Sequence, residues 1–197
     1  MNLKLKSKKN LIPENQLFTK QLYNSTAHRK SREDLRDLAL NNISFFNELI
    51  AVAFDTKNKF HFKACWVLEL VFEQKIELII PYLDGFCDVV SVYTHDSAIR
   101  PMAKVIRFVV TENYSKNPKF RLSEKQINQL TECCLDWLIS DEKVATKAYS
   151  AESLFILGKY QDWIYPELKQ ILSEGYAQHS PAYQATARKI LKLIVNG

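Results

Sequence analysis

Glycine and proline are scarce in this sequence, which contains four Gly and six Pro among 197 residues. Tight turns between strands depend on these two residue types, so their scarcity disfavours a sheet-rich fold and favours helices joined by short loops. Charged residues make up 25% of the chain and hydrophobic residues 47%, which is ordinary for a soluble globular protein. The composition therefore predicts an all-α fold.

Long hydrophobic runs are missing as well. The most apolar stretches, such as Leu78-Ile79-Ile80, are soon interrupted by polar residues and fall far short of the roughly 20 residues that span a bilayer. The basic start MNLKLKSKKN is not followed by the apolar segment that a secretory signal peptide has. These absences predict a protein without a membrane partner and with a cytoplasmic location.

Signatures of metal or enzyme chemistry are not found either. The cysteines form no Cys-x-x-Cys pair, no Cys and His spacing resembles a zinc site, and no Gly-rich phosphate loop is present. We expect buried free thiols in a reducing cytoplasm, no metal, no cofactor and no catalytic residue. The sequence is therefore interpreted as that of a protein that is not an enzyme. The cysteines are Cys65, Cys87, Cys133 and Cys134.

What the sequence does contain is a series of helical patterns, in which apolar residues recur at three- and four-residue spacing. Ser123 and Gln126 have the spacing of a capping box, and Ser180-Pro181 places a cap before a proline of the first turn. Gly158 is expected to adopt the left-handed conformation that ends many helices. The spacing predicts ten helices, at 14–23, 30–41, 43–55, 60–74, 76–92, 97–113, 123–140, 143–158, 161–174 and 181–195.

An internal repeat relates four of these helices, which begin with a basic or amide side chain followed by Ala or Pro. These pairs are Lys63-Ala64, Arg100-Pro101, Lys147-Ala148 and Gln184-Ala185, at separations of 37, 47 and 37 residues. Helix-pair repeats have lengths of roughly 34–47 residues. Small residues let neighbouring helices approach closely, and each helix pair then buries its apolar side against the next pair.

The N-terminal residues differ from the rest of the chain. Lys4, Lys6, Lys8 and Lys9 have no acidic partner nearby in the sequence and contribute to a net charge of +5. Such a run is typical of a solvated, disordered terminus, while contact with nucleic acid or acidic lipid is the alternative. We therefore predict a disordered basic terminus over 1–11 and a single helical repeat domain over 12–197.

Three short segments resemble HEAT and armadillo-type repeats: FKA at 62–64, IRPMA at 99–103 and YQATA at 183–187. The resemblance covers about 43–196 and implies a right-handed α–α superhelix of about four HEAT-like helix pairs. The segment 134–159 is similar to a group of small bacterial HEAT-like proteins that are often labelled adenylosuccinate lyases. The Ser-rich loop of that lyase family is not found, since the chain has no Ser-Ser dipeptide. Lyase activity is therefore the last of the alternatives.

The resemblance also implies where a binding site lies, because the second helices of HEAT-like pairs line the concave surface. The basic and aromatic side chains predicted to form a binding face there are Lys63, Arg100, Lys104, Arg107, Lys147, Tyr149, Tyr183 and Arg188. Glu69, Glu73 and Glu152 lie on the same helices, so we expect a non-enzymatic interaction module with an unknown protein or peptide partner. A nucleic acid, bound through its phosphates and stacked bases, is the alternative. The sequence does not specify the partner's identity or the oligomeric state.

Three histidines, His61, His95 and His179, precede or begin second helices. An acid/base pair or a metal site is one interpretation of them. Packing or helix capping is the other, and it is favoured because neighbouring helix pairs are separated by about 10 Å.

Overall fold

The computed structural model describes residues 14–115, 117–174 and 176–196, and the prediction for 1–11 lies outside these ranges. Within them the chain forms ten α-helices and no strand, which confirms the all-α prediction. The helices are α1 (Glu14–Asn24), α2 (Arg29–Asn41), α3 (Ile43–Phe54), α4 (His61–Gln74), α5 (Leu83–Val90), α6 (Asp96–Tyr114), α7 (Glu124–Ile139), α8 (Val144–Leu157), α9 (Ile164–Ser173) and α10 (Pro181–Asn196).

One predicted helix is broken. The region predicted as a single helix over 76–92 consists of a 3₁₀ segment, Ile76–Tyr82, followed by α5. Pro81 lies in the 3₁₀ segment. Proline has no N–H to donate, and its ring collides with the carbonyl four residues earlier, which disfavours a regular α-helix around Pro81, although α6 does continue through Pro101. The prediction of one continuous helix over 76–92 was wrong.

The predicted helix starts are largely confirmed. The Ser123 side chain accepts a hydrogen bond from the Gln126 amide, and the Gln126 side chain accepts one from the Ser123 amide, which completes the capping box of α7. Pro181 is the first residue of α10, where its missing N–H has no helical partner to lose. Both starts are therefore encoded within a span of at most four residues.

Gly158 ends α8, but not in the predicted conformation. Its φ is −58° and its ψ is −16°, which is right-handed backbone that any residue adopts. The glycine is instead required by a close approach. A Cβ at this position would lie 2.8 Å from both Cδ1 and Cζ of the Tyr165 ring and still closer to Cε1. The absence of a side chain therefore lets α9 pack against the end of α8.

The helices alternate between two layers. The even-numbered helices α2, α4, α6, α8 and α10 pack side by side in that order. In the other layer α1, α3, α5 and α7 contact each other in order, and α9 packs against α8 and α10. The predicted helix pairs are α3/α4, α5/α6, α7/α8 and α9/α10, and α1 and α2 extend the two layers at the N-terminal end. The right-handed twist of the array stays a prediction.

A continuous apolar core fills the space between the layers, from Phe18 in α1 to Ile190 in α10. Each of the four later even-numbered helices has a fully buried alanine, namely Ala64, Ala103, Ala151 and Ala187. Alanine allows close approach of neighbouring helices, so the predicted use of small residues in the repeat is confirmed.

The four cysteines are buried and free, as the sequence predicted. Burial raises the pKa of Cys65, Cys87 and Cys134 to about 12, because the thiolate loses its hydration in the core. These thiols are therefore protonated at neutral pH and act as small core side chains.

Candidate functional site

One side of the even-numbered helices contains four of the eight residues predicted for the binding face, namely Arg100, Lys104, Arg107 and Tyr149. Along this side α4, α6 and α8 each contribute residues at positions i, i+4, i+7 and i+11, which share one face of an α-helix. We call it the even-helix face, and we define it by Phe62, Trp66, Glu69 and Glu73 of α4, Arg100, Lys104, Arg107 and Thr111 of α6, Ala145, Tyr149, Glu152 and Ile156 of α8, and Lys189 of α10.

Lys104 joins α6 to α4 through two carboxylates. Its Nζ lies 3.0 Å from Glu69 Oε1 and 2.9 Å from Glu73 Oε1. Burial acts to lower the pKa of Lys104, but the hydrogen bonds to Glu73 and Glu69 outweigh it, and the net effect raises the pKa. The ammonium is therefore charged at neutral pH and bound to its neighbours.

Arg107 and Lys189 join the next helices through a shared carboxylate. Arg107 Nη1 lies 3.5 Å from Glu152 Oε2, and Lys189 Nζ lies 3.7 Å from Glu152 Oε1. The Arg107 guanidinium also lies over the rings of Phe108 and Tyr149, 5.4 Å from each centroid. Tyr149 was predicted to belong to the binding face, and the Arg107 guanidinium covers one side of its ring. The chain of ion pairs crosses α4, α6, α8 and α10.

Lys63 faces another part of the molecule. Its Nζ donates to the backbone carbonyl oxygens of Tyr23 and Ser25, both at 2.6 Å. These carbonyls lie at the C-terminal end of α1, where a cation compensates the negative end of the helix dipole. Lys63 therefore fastens α1 to α4.

Lys63→Met is expected to lower the free energy of unfolding by about 1–2 kcal/mol, because two carbonyls lose charge-assisted hydrogen bonds. Lys59→Met is the matched control, since Lys59 Nζ also lies over the Phe60 ring but is exposed. That control should change stability by less than about 0.5 kcal/mol. Urea unfolding followed by circular dichroism measures both, and equal losses would contradict the role assigned to Lys63.

Tyr183 is buried rather than exposed. Its side chain is 2% accessible, and its ring stacks on the His179 ring with centroids 4.0 Å apart. The hydroxyl-bearing ring therefore packs in the core side of α10 and offers no surface to a partner. This placement corrects the prediction that Tyr183 belongs to the binding face.

Arg188 lies at the edge of the array, where α9 connects to α10. Its Nε and Nη2 donate to Tyr176 Oη at 3.3 and 3.1 Å. The next residue, Lys189, reaches the even-helix face instead, because one residue turns the side chain about 100° around the helix. Lys147 is half-buried in the first turns of α8 and makes no ion pair with any described residue.

Arg100, the remaining predicted residue, lies in a cleft of about 380 Å³ where α2, α4 and α6 meet the residue before α8. The cleft is lined by charged groups of both signs and by an indole ring. These side chains are Arg32, Arg100, Lys143, Glu69, Asp96 and Trp66.

Two polar atoms of this cleft are buried without a hydrogen-bond partner among the described residues, Arg32 Nε and Glu69 Oε2. Glu69 is only 4% exposed, and its other oxygen is held by Lys104. Arg32 and Arg100 make no ion pair within the described part of the chain, whereas Lys143 Nζ lies 3.5 Å from Asp96 Oδ2. The cleft therefore contains two guanidinium groups that have no carboxylate partner among the described residues.

Arg32 was missed by the sequence analysis, which placed Lys189 on a second helix but did not include it in the predicted binding face. Arg32 was missed because the repeat was traced over 43–196, which leaves out α2. Continuing the alternation of helices one step toward the N-terminus assigns α2 to the same layer as α4. Lys189 follows Arg188, and the alignment of basic residues did not resolve which of the two continues the face.

The histidines have packing and capping positions. His61 is buried, with Nδ1 2.8 Å from the Asn58 carbonyl oxygen, and its ring stacks on Tyr93. His95 is the N-cap of α6 and accepts a hydrogen bond from the Ser97 amide. Across the described residues, no group of three or more His, Cys, Asp or Glu side chains is arranged to hold a metal ion.

Two alternating helix layers, a shared core and neighbouring helices linked by ion pairs define an α–α repeat protein. A family model described as a HEAT repeat domain matches residues 18–194, so the chain belongs to the HEAT repeat domain family. Repeats of this family are typically scaffolds for interactions. Comparisons with curated proteins and with solved structures give no match. None of the described helices combines the length and apolar character needed to cross a membrane.

Proposed function

We propose that the protein is a non-enzymatic interaction module that binds a protein or peptide partner across the even-helix face. The observation that carries the proposal is that three of the four cations of this face are paired with carboxylates. Lys104, Arg107 and Lys189 each have a carboxylate partner on a neighbouring helix. A face of alternating, paired charges suits a partner surface of mixed sign, whereas phosphate chains are bound by cations that are free to replace counterions.

An apolar hollow beside these pairs supports the same function. It has a volume of about 240 Å³, and Phe155, Ile156 and Leu193 are among its lining residues. Leu193 is 42% exposed, which leaves apolar surface next to Arg107 and Glu152. An exposed apolar patch with a polar rim is typical of protein interaction sites.

Nucleic-acid binding is the second candidate, because Arg100 and Lys147 make no ion pair among the described residues. Binding of this kind weakens steeply with salt, since each phosphate contact releases counterions. Dependence on salt therefore separates the two candidate functions.

Photo-crosslinking in the native host tests the proposal. A p-benzoylphenylalanine at Thr111, on the even-helix face, is expected to give a discrete protein adduct after irradiation. The matched control places the same residue at Glu132, which is exposed on α7 in the opposite layer. Equal adducts from both positions, or an adduct that nuclease removes, would contradict a protein partner on this face.

A further inference from the structure

We propose that the cleft between α2, α4 and α6 binds an acidic segment of the partner, with a carboxylate held between Arg32 and Arg100. The carboxylate belongs to an Asp or Glu side chain or to a chain end. The inference rests on the proposed function and goes beyond it, because it names the chemical group that the scaffold recognises and the residues that recognise it.

The charge of the cleft favours an anion. Lys104 compensates Glu69, and Lys143 compensates Asp96 at the rim. Arg32 and Arg100 are the guanidinium groups left over, and neither is within ion-pair distance of a carboxylate in the described structure. A planar guanidinium binds a carboxylate through two parallel hydrogen bonds. Two guanidinium groups in one cleft can therefore bind a carboxylate from both sides.

Two buried polar atoms of the cleft also indicate which hydrogen-bonding groups a ligand must have. Arg32 Nε needs an acceptor, and Glu69 Oε2 needs a donor, because buried polar groups in folded proteins are almost always hydrogen-bonded. An acidic residue in a peptide offers both groups, since its carboxylate accepts and the backbone N–H beside it donates. A DNA backbone offers acceptors and no donor, whereas an RNA backbone adds the 2′-hydroxyl as a donor. The pair of unsatisfied atoms therefore favours a peptide over a DNA backbone.

The apolar wall of the cleft suits the stem of such a residue. Trp66 is half-buried, and its indole packs edge-on against Phe62 with ring centroids 5.1 Å apart. Pro101 also lines the cleft and is buried in the first turns of α6. Methylene groups of a glutamate side chain pack on these rings while the carboxylate reaches the arginines.

Hexaglutamate is the probe for this cleft, and hexaglutamine and a short oligothymidylate are the neutral and phosphate comparisons. Binding to the full chain is followed by calorimetry at low and moderate salt. In parallel, the side-chain Nε–H resonance of Arg32 reports contact at the cleft itself. We expect hexaglutamate to bind at least about tenfold more tightly than either comparison and to shift the Arg32 resonance.

Arg32→Gln and Arg100→Gln are each expected to weaken hexaglutamate binding by about tenfold or more. Arg188→Gln is the matched control, because it removes an exposed guanidinium from α10, and it should leave binding within about twofold. Arg32→Lys keeps the positive charge, so it distinguishes a loss of binding from a folding defect in Arg32→Gln. It is expected to bind with an affinity between those of Arg32→Gln and the unaltered chain, because an ammonium cannot make the paired hydrogen bonds.

Three results would overturn the inference: no hexaglutamate binding up to about 1 mM, an equal loss in Arg188→Gln, or tighter binding of oligothymidylate through the same two arginines. The crosslinking experiment keeps this failure separate from failure of the proposed function. If the Thr111 adduct persists in the Arg32→Gln and Arg100→Gln variants, the proposed interaction module stands and the inference of an acidic segment is wrong.

Discussion

Lys104→Met is expected to lower the free energy of unfolding by about 3–5 kcal/mol, the range measured when one partner of a buried ion pair is removed. The Lys104 side chain is 16% exposed, and that of Glu69 is 6% exposed. Without the ammonium, the Glu69 carboxylate is left charged inside the protein beside Glu73. Urea unfolding at neutral pH measures the loss.

The pH dependence has a defined sign. The pKa of Lys104 is raised above 10.5 in the folded chain, so its contribution is complete below 10.5 and is lost as the pH rises through the folded value. The stability difference between the unaltered chain and Lys104→Met is therefore expected to be constant near neutral pH and to shrink in strongly alkaline solution.

Lys143→Met is the matched control for this prediction. Its ion pair with Asp96 is exposed, with side-chain accessibilities of 71% and 60%. Exposed pairs contribute about 0–1 kcal/mol, so this variant should unfold nearly as the unaltered chain does. The double variant Glu69→Leu with Lys104→Met should recover much of the lost stability. A Lys104→Met loss no larger than that of Lys143→Met would refute a buried ionic link between α4 and α6.

Gly158→Ala is expected to cost about 2–3 kcal/mol, because the added methyl group overlaps the Tyr165 ring. Relief requires the ring to leave its contact with Phe155, whose centroid lies 5.8 Å away. Thermal or urea unfolding measures the cost. In a Tyr165→Leu background the same Gly158→Ala change should cost far less, since the overlapping atoms are gone.

Gly85→Ala, in contrast, is expected to raise the free energy of unfolding. A Cβ at Gly85 would lie 3.4 Å from Phe54 Cε2, which is ordinary van der Waals contact. Alanine is favoured over glycine inside a helix by about 0.5–1 kcal/mol, so this variant should be more stable than the unaltered chain. Destabilisation by both substitutions would mean that the loss at Gly158 does not arise from Tyr165.

The positions of the helices could be predicted because apolar spacing and end signals are properties of short segments. Ser123 and Pro181 mark the starts of α7 and α10 within a few residues. The break at Pro81 was missed because the apolar spacing continues through it. The role of Gly158 was misassigned because the ring that requires it belongs to the next helix.

Which residues share one side of a helix could be predicted from the sequence. Which residues of the neighbouring helices they contact could not. Arg100, Lys104 and Arg107 share one side of α6 because their spacing matches the helical period. Which carboxylate each cation meets depends on how far neighbouring helices are offset, and that offset is set by packing in the core. Lys63 binds carbonyls near the end of α1, across 38 and 40 residues of sequence, and no local pattern signals such a contact.

Because the helices alternate between two layers, local unfolding is expected to start at the ends of the array. In stacked repeats each unit is stabilised mainly by its immediate neighbours, so local unfolding proceeds inward from an end. At the C-terminal end α10 packs against α8 and α9 and can detach while the earlier contacts hold. The cleft is built by α2, α4 and α6 near the other end. Fraying or proteolytic trimming of α10 would therefore remove Lys189 and the apolar hollow before it disturbs Arg32 and Arg100.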